Sequence, residues 1–146
     1  MIGGYITPKS VQSYNTNSQE WTIISSSVPM NVENSACIVL PNEDVLVVGS
    51  ENFEDFNSAA IYNVANNVWT KLDRTTYLRE GTDLVRLGNR IFVLGGLSDN
   101  IEEFHQEDNS WTLVSQKLII PRIQHNSMSL PAETFPDISG GCQGVV

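Results

Sequence analysis

The chain has little of what catalysis and metal binding usually draw on. Its 146 residues include two histidines and two cysteines. His105 and His125 stand apart from each other and from any cysteine at ligand spacing, so the sequence assembles no zinc or copper site. Cys37 lies in an apolar run and Cys142 beside the last glycine pair. They are expected to be too far apart to bridge, and two free thiols fit a reducing compartment. No Gly-x-Ser-x-Gly elbow is present, and no glycine pair opens a helix whose N-terminus would hold phosphate. No catalytic, cofactor or metal residue is assigned.

Basic residues are also scarce. Eight Lys and Arg face seventeen Asp and Glu, a formal net charge of −9. That field opposes phosphate backbones and anionic membranes, so neither nucleic acid nor a membrane is an expected partner; it also favours solubility. No run approaches the ~20 apolar residues that span a bilayer. No cationic start followed by an apolar stretch marks a secretory signal, and no Asn-x-Ser/Thr sequon occurs. A cytoplasmic location is expected. No segment has a helical period of 3.6, so no helix longer than a turn is expected. At 40% hydrophobic residues, a packed core is still within reach.

What the chain does have is repetition. Three tryptophans each follow an aromatic by seven residues: Tyr14 and Trp21, Tyr62 and Trp69, Phe104 and Trp111. Upstream lie Gly3-Gly4, Gly49-Ser50 and Gly95-Gly96, with a fourth step at Gly140-Gly141. Gly3 to Gly49 and Gly49 to Gly95 are both 46 residues, and Gly95 to Gly140 is 45. Such a period denotes an array of one supersecondary unit.

Within one unit the reading is four short strands. Thr82–Leu87 stops at Gly88-Asn89, a two-residue hairpin signal, and Arg90–Leu94 is a β-branched and aromatic run ended by Gly95-Gly96. Ile101–His105, a polar turn and Trp111–Val114 complete a meander. The preceding unit reads as Ser35–Leu40, Val45–Val48, Ala59–Asn63 and Val68–Leu72, with Pro41-Asn42-Glu43-Asp44 in place of the glycine hairpin. The first unit holds only its last three strands: a Met1–Gly3 remnant, Ser10–Asn15 and Trp21–Ile24. The last holds two, near His125–Leu130 and Thr134–Ser139.

A four-stranded sheet cannot bury both faces alone. Stacked radially, such sheets bury one another as the blades of a propeller, typically 4–8 of them. Each aromatic–tryptophan pair then opposes itself across a hairpin, and each Trp→Ala change is expected to cost ~3–5 kcal/mol. The fold class is all-β, in four-stranded antiparallel meanders. The units are 1–27 (end of a first blade), 28–73, 74–118, and 119–146 (start of a fourth).

These residues resemble the kelch repeat: a double glycine, then Tyr-(Asp/Asn), then Asn-x-Trp. The matches are Gly3-Gly4, Tyr14-Asn15 and Trp21; Gly49, Tyr62-Asn63, Asn67 and Trp69; Gly95-Gly96, Phe104, Asn109 and Trp111. Ser50, Phe104 and Gln19 depart from the pattern, as in a diverged member. The resemblance implies a kelch-type β-propeller whose loops dock a protein partner, as in non-catalytic scaffolds and adaptors. Oxidases and isomerases also use this fold. About three blades are too few to close a ring, so the expectation is an open arc or a piece of a larger propeller. Such an arc would expose an apolar blade face at each end and invite self-association.

Two features beyond the repeat residues stand out. Glu51, Glu54 and Asp55 cluster around Phe53 and Phe56 in the Ser50–Asn57 loop. Either the loop contacts a partner, or both rings fold back on the blade edge. Arg79 and Arg122, 43 residues apart, open successive first strands. Each either braces its blade or presents a guanidinium fork to an acidic peptide.

Overall fold

A computed structural model describes residues 1–24, 26–131 and 134. Its strands are β1 Gln12–Asn15, β2 Glu20–Ile23, β3 Ala36–Val39, β4 Val45–Val48, β5 Ala59–Asn63, β6 Val68–Lys71, β7 Asp83–Leu87, β8 Arg90–Leu94, β9 Asn100–His105 and β10 Ser110–Lys117. They form a first sheet β1-β2, a second β3-β4-β5-β6 and a third β7-β8-β9-β10, every pairing antiparallel and sequential. Ile2 bridges Val11, with Gly3 N–H donating to Ser10 O and Gln12 N–H to Met1 O, each at 2.8 Å. The Met1–Gly3 remnant therefore acts as a third strand of the first sheet.

The turns follow from their residues. Leu87 pairs with Arg90 across Gly88-Asn89, and only Gly88 of the two takes positive φ, +63°, as a type II′ turn requires. In the second sheet Glu43, at φ 70°, makes the left-handed step, closed by Leu40 N–H to Asp44 O at 2.8 Å. Gln19, Asn67 and Asn109, each two residues before its tryptophan, have φ of 59°, 55° and 58°. Asn tolerates this left-handed conformation better than most side chains, which is a backbone reason for Asn-x-Trp. The aromatic pairs face each other in register, Tyr14↔Trp21, Tyr62↔Trp69 and Phe104↔Trp111, with centroids 5.1, 5.0 and 5.0 Å apart.

The apolar runs are continuous because both sheet faces are covered. Val45 and Val47 point toward the first sheet, packing with Ile2 and Val11 and with Val28, Met30 and Val32 of the segment before β3. Leu46 and Val48 point the other way, into a core shared with Leu84, Ile91, Val93 and Phe104 of the third sheet. Trp69 packs in the first of these cores and Trp111 in the second, so each pair rests on the sheet before it. The indole N–H of Trp111 donates to Asp73 O, at the end of the preceding unit, at 3.3 Å.

Three expectations need correction. Trp21 is 56% exposed and Tyr14 46%, because among the described residues no sheet packs over them. An apolar sheet face is therefore open at that end. At the other end Val85, Phe92, Leu94 and Ile101 are buried, with Leu87, Val114 and Leu118 packed around them and the Arg90 guanidinium 4.8 Å over the Phe92 ring. Third, His125–Leu130 forms no strand; Ser127 N–H instead donates to the Asp83 carboxylate. Thr134–Ser139, Gly140, Gly141 and Cys142 fall wholly or almost wholly outside the described residues. No helix among the described residues is long and apolar enough to cross a membrane.

Candidate functional site

The loop 50–57 joins β4 to β5 and lies at the same sheet end as the segments 26–35 and 72–82. Polar residues shape it locally. Ser50 Oγ accepts from Asn52 N–H and Asn52 Oδ1 accepts from Glu54 N–H, both at 3.0 Å. Both flanking segments hold it. Asn31 N–H donates to Asp55 Oδ2 at 2.9 Å and Glu51 N–H to Glu33 O at 2.8 Å. On the other flank the Arg74 guanidinium donates to Asn57 Oδ1 at 2.7 Å and to Glu54 O at 3.0 Å, and Arg79 N–H donates to Phe56 O at 2.9 Å.

This frame sorts the loop's aromatic and acidic residues. Phe53 is 85% exposed at the tip, so it does not fold back onto the sheet. Phe56 is half-buried and meets it edge-on, with centroids 5.7 Å apart. Glu51 and Glu54 are exposed. Asp55 is buried, and its Oδ1 accepts from the Ser58 hydroxyl at 3.0 Å, so it shapes the loop from inside.

Arg79 lies elsewhere than on a partner-accessible loop: it is fully buried. Its guanidinium donates to Gly95 O at 2.7 Å, Asn100 O at 2.9 Å and Glu102 Oε2 at 2.6 Å. Burial pushes the guanidinium below its ordinary range, and the Glu102 hydrogen bond opposes that shift. Glu102, fully buried, also accepts Thr76 N–H at 2.8 Å. Sequence reasoning overlooked Glu102; the available signal was a carboxylate one residue after the apolar Ile101, inside a strand with both faces covered. A Cβ on Gly49 would fall 1.9 Å from Arg79 O, and one on Gly95 2.6 Å from Arg122 O. The glycine steps are where consecutive units touch backbone to backbone.

Arg122 occupies the corresponding place one unit later. It is exposed, and its carbonyl accepts Gly96 N–H at 2.7 Å. His105 Nε2 is 2.7 Å from Thr112 Oγ1, while His125 is half-buried with its ring against Gly95. Among the described residues no group of three His, Cys, Asp or Glu lies together as a metal site. Cys37 is a free, exposed thiol.

No family model matches the chain. Human Kelch-like protein 21 is 29% identical over 97 residues, which cover 62% of this chain and 16% of that protein. Kelch-like protein 21 of Danio rerio is 25% identical over 139 residues, 86% of this chain and 21% of that protein. Human Kelch-like protein 30 is 26% identical over 106 residues, 71% and 18%. The chain thus spans between 16% and 21% of the length of these curated relatives. Among solved structures, a "novel fungal alcohol oxidase with catalytic diversity among the AA5 family, in complex with copper" superposes with a TM-score of 0.62 at 17% identity. It covers 73% of this chain and 24% of that one. At that identity the likeness concerns the fold.

Proposed function

We propose that this chain, a kelch-repeat protein distantly related to the Kelch-like proteins, is a non-catalytic protein-docking module whose partner seats on the 50–57 loop. Phe53 is the apolar anchor, and Phe56 and Glu54 flank it. The observation that carries this reading is the exposure of Phe53 on a loop held from both sides by hydrogen bonds. A large apolar group kept in water at a fixed position lowers the ordering cost of binding. The charge of −9 favours a protein partner over nucleic acid or an anionic membrane. A cytoplasmic setting belongs to the same proposal. The alternative, part of a kelch-propeller oxidase or isomerase, rests on fold alone, which does not carry function.

The test is quantitative recovery of partners on the full chain and on Phe53→Ser, with thermal melts of both. Partners held by the wild type and lost from F53S, at an unchanged melt, support the reading. Equal recovery by both proteins counts against it.

A further inference from the structure

The place that the 50–57 loop takes in the second sheet is taken in the third by the loop 95–99, between β8 and β9. This loop is shorter and likewise held. Gly96 N–H donates to Arg122 O at 2.7 Å, and Ser98 Oγ accepts from Asn100 N–H at 3.0 Å. Its tip is Leu97, 50% exposed and with φ of 60°. A branched side chain is strained in this left-handed conformation, and in water it gains little from burial. Glycine or asparagine would relieve both costs, and strain of this kind gathers where ligands are clamped.

The two tips are joined through the segment between them. On one side Arg79 N–H donates to Phe56 O at 2.9 Å; on the other, a Cβ on Gly96 would fall 2.7 Å from Arg79 Cα. Leu78, next to Arg79, is exposed. Phe53, Phe56, Leu78 and Leu97 thus follow one another over the joint between the second and third sheets. The charges beside them are mostly of one sign. Glu51, Glu54, Asp73 and Glu80 enter no ion pair among the described residues, whereas Asp99 meets Lys117 at 3.7 Å and Arg79 is taken by Glu102. The remaining base of these segments, Arg74, has its guanidinium on Asn57 Oδ1 and Glu54 O.

We propose that the partner segment seated here is basic and amphipathic. Its apolar side chains cover Phe53 and Leu97 together, and its Lys or Arg side chains meet Glu51, Glu54 and Glu80. This rests on the reading that the 50–57 loop docks a protein. An acidic segment would be repelled by these carboxylates, whereas a basic one is steered to them and removes exposed apolar area as it seats. Anchors on two sheets set the line along which the segment lies.

The experiment selects a random linear peptide library against the full chain. Affinities of the enriched peptides are then measured for the wild type, Phe53→Ser, Leu97→Asn and a Glu51→Lys, Glu54→Lys double variant. The expected peptides carry net positive charge among apolar residues, and their binding weakens as salt rises. F53S and L97N each lower affinity by about tenfold or more, and the double variant loses the basic peptides. L97N melts no lower than the wild type, because asparagine suits the backbone there. Enriched peptides of acidic or neutral charge overturn the inference, as does binding indifferent to L97N or to salt. Dependence on Phe53 without dependence on Leu97 removes this inference and leaves the docking reading in place. Peptides that bind F53S as well as the wild type overturn both, and so does a library that yields no binder.

Discussion

The Arg79 guanidinium donates to the Glu102 carboxylate at 2.6 Å with both side chains fully enclosed. Two further Arg79 bonds end on the carbonyls of Gly95 and Asn100, so this one side chain ties the entry segment of the third sheet to β8 and β9. The ion pair serves architecture, which is why the arginine is not available to an acidic peptide.

Removing one partner leaves the other charged and buried. Glu102→Gln is expected to destabilise the chain by ~3–5 kcal/mol. Replacing both residues with methionine should cost less than the two single changes together, because no orphan charge remains. Urea unfolding at constant m-value measures both.

Glycine changes should split by location. Gly49→Ala combines φ +80° with a Cβ 1.9 Å from Arg79 O, whereas a Cβ on Gly88, at φ +63°, meets nothing within 4 Å. The expected cost is about 3 kcal/mol or more for the first and ~1–2 for the second. Comparing thermal midpoints of the two variants reads the difference directly.

The tryptophans, alike in sequence, should differ in energetic weight. Trp69→Ala opens the core beneath Val45 and Val47 and is expected to cost ~3–5 kcal/mol. Trp21→Ala removes a side chain already 56% exposed and should cost under ~1 kcal/mol. Chemical denaturation at low protein concentration checks this.

One carboxylate offers a pH readout. Arg90 donates to Glu103 through Nε and Nη2, both at 2.7 Å, and this hydrogen bonding holds the Glu103 carboxyl below its ordinary value. With the folded value depressed, the pair's contribution is present above the unfolded glutamate value of ~4.3 and is lost as pH falls through the folded value. In Arg90→Met the Glu103 titration should move back up toward the ordinary value. Carboxyl-carbon NMR follows it, and an unmoved titration would contradict the assignment.

The strands were largely legible because their signals are local. β4, β5 and β8 have the bounds their apolar runs and flanking turns indicate, and the aromatic pairs take the register that a seven-residue spacing imposes. β10 runs on to Lys117, beyond Val114, through a register irregularity after Leu113 that no residue pattern marks. The candidate site was legible only as a composition. Phenylalanines among acids pointed to the 50–57 loop, but the separation of exposed Phe53 from buried Asp55 depends on Asn31 and Arg74, which come from other segments.

Repetition, turn residues and apolar runs settle locally that this chain makes four-stranded antiparallel units about 46 residues apart. Those signals act between neighbours within a hairpin, so a linear reading captures them. Which tryptophan is covered and whether an arginine is inside or outside depend on the sheet standing alongside. The similar motifs at Trp21 and Trp69 differ in burial because, among the described residues, a sheet packs against the second and none against the first. Burial belongs to the pair of sheets, and only the assembled fold brings the pair together.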